Sequence, residues 1–336
     1  HNVQAVSSLT PISSQIKLPL KKLLSPTDLC EFPYKYSVLN RVFKDAHYLF
    51  GLEKVIKGSD IVHVAETYYN YTLQAIKAKR KGLVKKVIST VWEVIPFNNE
   101  SLSGRRGIKK IARKEIDHFI TPTNLAKKAL LKEGISAKKI TVIPMGIDLD
   151  RFKPTTSGSK VKGEVTILFI GRLEESKGAD NLVKAFIKLS KSILNLKLNL
   201  VGQGTLEEKI TTYKNISLKT VHYDKIHLEY QKADIFCLPS QNTPTWQEQY
   251  GMVLVEAMAS GLSILTTDTG AIKEVCESAA VYTKGSVQAL HDGLKKLVLD
   301  HKKRKELAIK ARQRAVSRYN SLDTAKKIAK VYKDVY

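Results

Sequence analysis

The stretch Asp234-Ile-Phe-Cys-Leu-Pro-Ser-Gln-Asn-Thr-Pro-Thr-Trp-Gln-Glu-Gln-Tyr-Gly-Met-Val-Leu-Val-Glu-Ala-Met-Ala-Ser-Gly261 decides the fold. It opens with a short apolar run, Asp234–Leu238, that reads as a strand ended by Pro239. A turn-rich loop follows from Pro239 to Tyr250. Gly251–Ser260 then reads as a helix stopped at Gly261, the residue type that caps a helix C-terminus. This helix is apolar all round, so it is expected to be buried. Glu256 sits inside it. A buried carboxylate costs several kcal/mol unless it is paired or hydrogen-bonded. Its partner could be a backbone N–H, a lysine or the hydroxyls of a ligand, since an ionised carboxylate can accept two hydroxyls together. Eight residues earlier stands Glu248, in the loop. Between the two, the N–H groups of Gly251, Met252 and Val253 point out of a helix N-terminus, which favours an anion or a hydroxyl.

Strand–helix alternation extends outward from this unit. Val165–Ile170, Leu196–Val201, Thr220–Tyr223, Leu262–Thr266 and Ala280–Tyr282 are further expected strands, with a helix opening at Gly178. Upstream, Val3–Ser7, Ile61–Ala65, Lys86–Val91, His118–Thr121 and Thr141–Ile143 read as strands. Tyr69–Ala78, Gly107–Glu115 and Asn124–Glu133 read as helices. The pattern predicts an α/β protein with parallel sheets covered on both faces. Lys153–Lys162 reads as a linker. The tail Val287–Tyr336 is expected to be helical with one break at Tyr319-Asn320-Ser321, where Ser321 caps a new helix. At 336 residues the chain has room for about two domains. The expected division is 1–150, 151–321, and a helix 322–336 crossing back to the first domain.

Ligands bind outside the carboxyl ends of the strands in such sheets. Gly171-Arg172 follows Val165–Ile170 directly, and Lys177-Gly178 lies five residues on. Two cations at a strand end can hold a diphosphate, arginine through its fork and lysine as a point charge.

The strings Gly171-Arg-Leu-Glu-Glu-Ser-Lys-Gly178, Val201-Gly-Gln-Gly204, Pro239-Ser240, Glu248 to Gly261 with its Glu–seven residues–Glu spacing, and Thr269-Gly-Ala-Ile-Lys-Glu274 occur in this order. Together with Val142-Ile-Pro-Met-Gly-Ile-Asp148, Phe152 and Pro154, they resemble family 4 retaining glycosyltransferases. The resemblance covers residues 140–336 well and the first half weakly. It implies the GT-B fold, α/β with two Rossmann-like domains and a cleft between them. It also implies transfer of a hexosyl group from a nucleotide diphosphate sugar, UDP- or GDP-linked, to a glycan or lipid-linked acceptor, in cell-surface polysaccharide or glycolipid synthesis. Arg172 and Lys177 then bind the donor diphosphate, Glu248 meets the sugar hydroxyls, and Glu256 holds the ribose. Gly171 and the N–H groups of Gly251, Met252 and Val253 complete the donor site. No cofactor and no metal are expected, and Asp148-Leu149-Asp150 reads as a decoy of a metal motif.

The opening residues His1–Val6 resemble the second strand of the family, which implies that one strand–glycine loop–helix unit is lacking. An inactive, nucleotide-sugar-binding fragment is therefore the alternative reading. In the first half Glu93, after Lys86–Val91, is the acceptor-side candidate.

The net charge of +24 points to an anionic partner. Twelve lysines and arginines lie between Lys77 and Lys114, against only Glu93 and Glu100. Zinc-finger spacing and a basic run interleaved with aromatics are missing, so nucleic acid is not the expected partner. The helical spacing of Arg105, Arg106, Lys109, Lys110, Arg113 and Lys114 predicts peripheral attachment to an anionic membrane. No apolar run spans a bilayer. The cysteines Cys30, Cys237 and Cys276 lack metal-ligand spacing and suit a reduced, cytoplasmic setting.

Overall fold

The computed structural model describes residues 2–10, 18–155, 163–210, 213 and 215–336. Most of the expected linker, from 156 to 162, lies outside the described residues. The chain divides into two compact units, 1–143 with 326–336, and 144–325.

In the first unit, β1 (Ala5–Ser7) pairs in parallel with β2 (Leu20–Lys22) as a separate two-stranded piece. The strands β3 (Ile61–Ala65), β4 (Lys86–Thr90), β5 (His118–Thr121) and β6 (Ile140–Val142) form a four-stranded parallel sheet in chain order. Helices Asn70–Arg80, Ser103–Glu115 and Asn124–Lys132 connect these strands. Val64, Val87 and Phe119 of the sheet pack with Ile76, Ala112 and Leu130 of the helices in one buried layer. β2 and the short helices Lys35–Val42 and Leu52–Ile56 were not foreseen from the sequence.

The second unit holds β7 (Val165–Ile170), β8 (Leu196–Val201), β9 (Ile216–Lys219), β10 (Ile235–Leu238), β11 (Ser263–Thr266) and β12 (Val281–Tyr282). Their order is β12-β11-β10-β7-β8-β9, all parallel. Five of the six residues of β7 are buried, as a central parallel strand requires.

Two expectations shift here. The weak strand at Thr220–Tyr223 lies instead at Ile216–Lys219, where Ile216 and Leu218 pair beside β8, and Tyr223–Lys225 is a single 3-10 turn. The tail breaks twice. Asp300 ends Val287–Leu299 and caps His301–Arg318 by accepting from the Lys303 N–H at 2.8 Å. At the second break Asn320, not Ser321, supplies the cap, its Oδ1 accepting from the Leu322 N–H at 2.9 Å.

The helix Met252–Ala259 is buried from Leu254 to Ala259. It ends as expected. Gly261 takes φ +71°, its N–H reaches the Met258 carbonyl, and the Leu262 N–H reaches that of Ala257. This closes the last turn and satisfies carbonyls that would otherwise be orphaned.

Candidate functional site

The carboxyl ends of β7, β8 and β10 meet through glycines. A Cβ on Gly202 would fall 1.9 Å from the Gly171 carbonyl oxygen, and one on Gly178 would fall 2.1 Å from that of Pro239. Both glycines also have positive φ. Only glycine lets these backbones approach so closely.

Glu248 reaches this junction from its loop. Its carboxylate accepts from Lys177 Nζ at 2.7 Å and from Ser240 Oγ at 3.0 Å. Lys177 also lies over the Trp246 ring at 4.5 Å. Glu248 is buried, and both ion-pair side chains are largely shielded. Residues 71 positions apart in sequence thus form one desolvated pair. The Glu248 backbone is fixed as well, because its carbonyl accepts from the Ala271 N–H and packs too closely on Gly270 for a side chain there. Below the pair, the Thr269 hydroxyl donates to the Ser240 carbonyl at 2.9 Å, and Thr267 does the same.

Glu256 is buried at 3% exposure, as the helix pattern predicts. Its partners are two phenols, neither backbone nor lysine. Tyr230 donates to Oε2 at 2.6 Å and Tyr223 to Oε1 at 3.3 Å. Burial pushes the carboxyl up, while Tyr230, Tyr223 and the nearby Arg151 pull it back. Burial and Glu256 push the Tyr223 hydroxyl up to about 12. Arg151 stacks on Tyr223 and Phe152, with ring-centre distances of 4.5 and 4.9 Å, and donates to the Tyr223 carbonyl. A carboxylate offers about four acceptor positions, so Glu256 keeps capacity beyond the two phenols. The sequence reading missed both tyrosines. They come from the 3-10 turn Tyr223–Lys225 and the short helix His227–Gln231.

Arg172 stays exposed and, among the described residues, pairs with Glu174 at 2.9 Å. Gly251 takes φ +77° and caps the helix, so the Met252 and Val253 N–H groups stand ahead of its first i→i−4 bond. Asp148 Oδ1 accepts from the Asp150 and Arg151 N–H groups, which makes Asp148–Asp150 a capped turn.

The first unit places its candidates differently. The Glu93 carboxylate accepts from the Val94 and Ile95 N–H groups and from the Asn98 and Asn99 side-chain amides. Four donors fill its usual acceptor positions, so it holds its own loop together. The nearby Glu66 was not singled out from the sequence. It follows β3 with φ +61°, takes the Trp92 N–H at 2.8 Å on Oε1, and leaves Oε2 buried with no partner among the described residues. Burial, with Glu93 close by, pushes its carboxyl up to about 8.

The basic helix is Ser103–Glu115, and its face is not the one expected. Lys109 is buried and pairs with Glu133 at 2.7 Å. Arg113 pairs with Glu100 and Glu133, and Arg105 with Asp45. Ile108 and Ala112 are buried as well. Half of the cations are therefore structural, and the apolar side of the helix is already occupied. Arg106, Lys110 and Lys114 remain as an exposed stripe with i, i+4 spacing.

Comparisons with known proteins agree with this architecture. The profile "Glycosyl transferases group 1" matches residues 152–314, and "Glycosyltransferase Family 4" matches residues 22–151. The sucrose-phosphate synthase of Thermosynechococcus elongatus superposes with a TM-score of 0.74 at 16% identity, over 99% of this chain and 89% of its own. Anabaena HepE in complex with UDP and glucose superposes with a TM-score of 0.70 at 18% identity, over 94% and 86%. The fold is GT-B. The chain belongs to the glycosyltransferases, with a family 4 region followed by a group 1 region. It is 25% identical to the phosphatidyl-myo-inositol mannosyltransferase of Mycobacterium tuberculosis, over 98% of this chain and 88% of the relative. It is 24% identical to the phosphatidylinositol N-acetylglucosaminyltransferase gpi3 subunit of Schizosaccharomyces pombe, over 67% and 50%.

Proposed function

We propose that this glycosyltransferase moves a hexosyl group from a UDP- or GDP-sugar to a lipid-linked or glycan acceptor, with retention of anomeric configuration. The observation that carries the reading is the desolvated Lys177–Glu248 pair, set at strand ends one helix start away from Glu256. Lys177 Nζ and the Arg172 guanidinium hold the diphosphate and neutralise the charge that builds as the sugar C1–oxygen bond breaks. An exposed pair such as Arg172–Glu174 is worth about 0–1 kcal/mol, so Arg172 exchanges it for a diphosphate at little cost. Glu248 accepts from hydroxyls of the transferred sugar. Glu256, steadied by Tyr230 and Tyr223, accepts from the ribose. The backbone at Gly171 and the N–H groups at Gly251–Val253 line the same donor. The acceptor oxygen attacks on the face the diphosphate leaves, and its proton passes to a leaving phosphate oxygen. No metal is assigned a step, because the two cations carry the leaving-group charge.

For the acceptor, the names of the relatives support a phosphoinositol-bearing or other anionic lipid. The stripe Arg106, Lys110 and Lys114 suits peripheral, electrostatic contact with such a surface. Insertion of the apolar face is not part of this reading, because Ile108 and Ala112 are buried in their own unit. No described helix is long and apolar enough to cross a membrane.

Calorimetric titration with UDP-, GDP- and ADP-sugars tests the donor site. Binding of a UDP- or GDP-sugar that is lost in Glu256→Ala supports it, and no binding by any of them sinks it. The anomeric coupling of the product, read by NMR, tests retention. A second reading, favoured by the divided first sheet, is a chain that binds nucleotide sugar without turnover. Binding without product would select it.

A further inference from the structure

The first unit holds a polar cluster that the donor chemistry leaves unused. It forms on the loop 43–50, which follows the helix Lys35–Val42. Asp45 is its hub and is fully buried. Asp45 Oδ1 accepts from the His47 and Asn70 backbone N–H groups at 3.0 and 3.2 Å. Oδ2 meets the Arg105 guanidinium, 2.8 Å from Nε and 2.7 Å from Nη2. Asn70 opens the helix that follows β3, and Arg105 lies in the first turn of the helix that follows β4. Helices that follow parallel strands begin on the side of the strand carboxyl ends, where such sheets bind ligands.

His47 completes the cluster. Its Nδ1 lies 3.1 Å from Asp45 Oδ1. Burial alone would raise the Asp45 carboxyl, but His47 and Arg105 more than offset it and hold it below the usual range. An ionised carboxylate only accepts, so Nδ1 carries the proton and Nε2 of the neutral ring is left as an acceptor. The His47 side chain keeps 33% of its surface exposed, and Nε2 has no hydrogen-bond partner among the described residues. The two N–H groups and the guanidinium fork already fill the usual acceptor positions of Asp45. The carboxylate therefore orients the ring without needing it.

An aromatic wall stands beside this histidine. The Tyr69 ring centre is 4.3 Å from that of His47, and Tyr68 and Tyr71 lie 4.5 and 5.2 Å from Tyr69. Burial pushes the three tyrosine hydroxyls up, and Glu66 is near enough to add to this at each. Glu66 thus brings its unpartnered Oε2 to the same neighbourhood.

We propose that His47 Nε2, oriented by Asp45, accepts a hydrogen bond from a ring hydroxyl of the acceptor, with Tyr69 as the apolar wall beside it. The ligand class is a cyclic polyol, a sugar or an inositol ring. Such a ring carries hydroxyls on its edge and C–H groups on its face, which suits one fixed acceptor next to an aromatic side chain. A headgroup phosphate is not what His47 reads, because neutral Nε2 has no proton to donate and Arg105 is already engaged by Asp45. The inference rests on the proposed transfer to a hydroxylated acceptor. His47 binds that acceptor, and the proton of the reacting hydroxyl still passes to the leaving phosphate.

The test reads the imidazole nitrogens by NMR in the full chain carrying isotope-labelled histidine, at pH about 8, above the usual histidine range. His47 is expected as the Nδ1–H tautomer. Octyl glucoside and myo-inositol 1-phosphate are titrated separately. One of them is expected to move His47 Nε2, which tells a sugar ring from an inositol ring, while His63, held between Tyr332 and Thr90, stays in place. His47→Asn keeps a donor toward Asp45 but has no group at Nε2, and His47→Gln restores an acceptor there. The Kd of the ligand that moves Nε2 should rise about tenfold in His47→Asn and return to within about threefold in His47→Gln. An Nε2–H tautomer, an Nε2 that neither ligand moves, or equal Kd in wild type and both variants overturns the proposal. Calorimetry with UDP- and GDP-sugars on the same preparation separates it from the donor reading. Nucleotide-sugar binding with an unmoved His47 overturns this site alone, and an Nε2 shift without nucleotide-sugar binding overturns the donor site alone.

Discussion

Set side by side, β7 and β3 are both short apolar strands that begin a run of parallel pairing, yet one is sealed and the other is not. β7 has β8 and β10 on its two edges, and five of its six residues are buried. Among the described residues β3 pairs only with β4, and three of its five residues are half-buried. An apolar run in a sequence states that a strand wants cover. It does not state whether the cover is supplied. The donor-side candidates stand on the sealed sheet, where glycines bring three strand ends into contact and hold Glu248 against Lys177. On the divided sheet, Glu66 is left with a left-handed backbone and an unsatisfied oxygen at the end of the half-covered strand.

The sharpest stability contrast comes from adding one methyl group to each unit. Gly202→Ala would place a Cβ 1.9 Å from the Gly171 carbonyl oxygen at φ +147°. A cost of about 3 kcal/mol or more is expected, read as a lower denaturant midpoint. Gly58→Ala in the first unit meets nothing within 4 Å and strains only its φ of +82°. About 1 kcal/mol is expected there. Equal costs would remove the claim that the strand ends of the second unit are packed to backbone contact.

A smaller effect concerns Glu66. Its folded carboxyl titrates near 8, against 4.5 when exposed. Between those values the folded state holds a proton that the unfolded state has lost, so stability falls as pH rises from about 4.5 to 8 and is level above. Glu66→Gln should flatten that slope, gaining on the wild type by on the order of a few kcal/mol across the window. Parallel melting curves for the two proteins from pH 5 to 8 would contradict the assignment.

The smallest effect is at the surface. Changing Arg106, Lys110 and Lys114 to Gln should weaken sedimentation with anionic liposomes by up to about 10²-fold at low salt, each cation being worth about 1 kcal/mol near such a surface. Melting temperature should barely move. Changing Lys109 alone should instead destabilise the fold, because it leaves Glu133 buried with one partner fewer. Liposome binding insensitive to the three changes would locate the membrane contact elsewhere.

Much of this was legible in the sequence for a physical reason. Val165–Ile170, Leu196–Val201, Ile61–Ala65 and His118–Thr121 have the bounds read from pattern alone: Val165–Ile170 is a nearly continuous apolar run, as a buried central strand requires, and Leu196–Val201 alternates Lys197 and Asn199 with buried leucines. β9 was misplaced because it is an edge strand of mixed character. Asp300 was overlooked because helical composition continues on both sides of it. At the site, the cost of burying Glu256 announced that partners exist, but not that they are Tyr223 and Tyr230, which arrive from two other elements. Lys177 and Glu248 were each singled out for a ligand, and only the folded chain shows them holding each other. Helical spacing put six cations on one helix, but only tertiary packing separates Lys109 from Lys110.

The central claim is that Glu248, held by Lys177 and Ser240 on the sealed sheet, acts on the sugar in transit. Steady-state turnover and nucleotide-sugar affinity of Glu248→Ala, measured on the same preparation, test it most directly. A fall in kcat of about 10²-fold or more is expected, with the Kd for the donor nucleotide changed by less than about threefold. Unchanged turnover, or a loss of nucleotide binding that alone explains the fall, would contradict it.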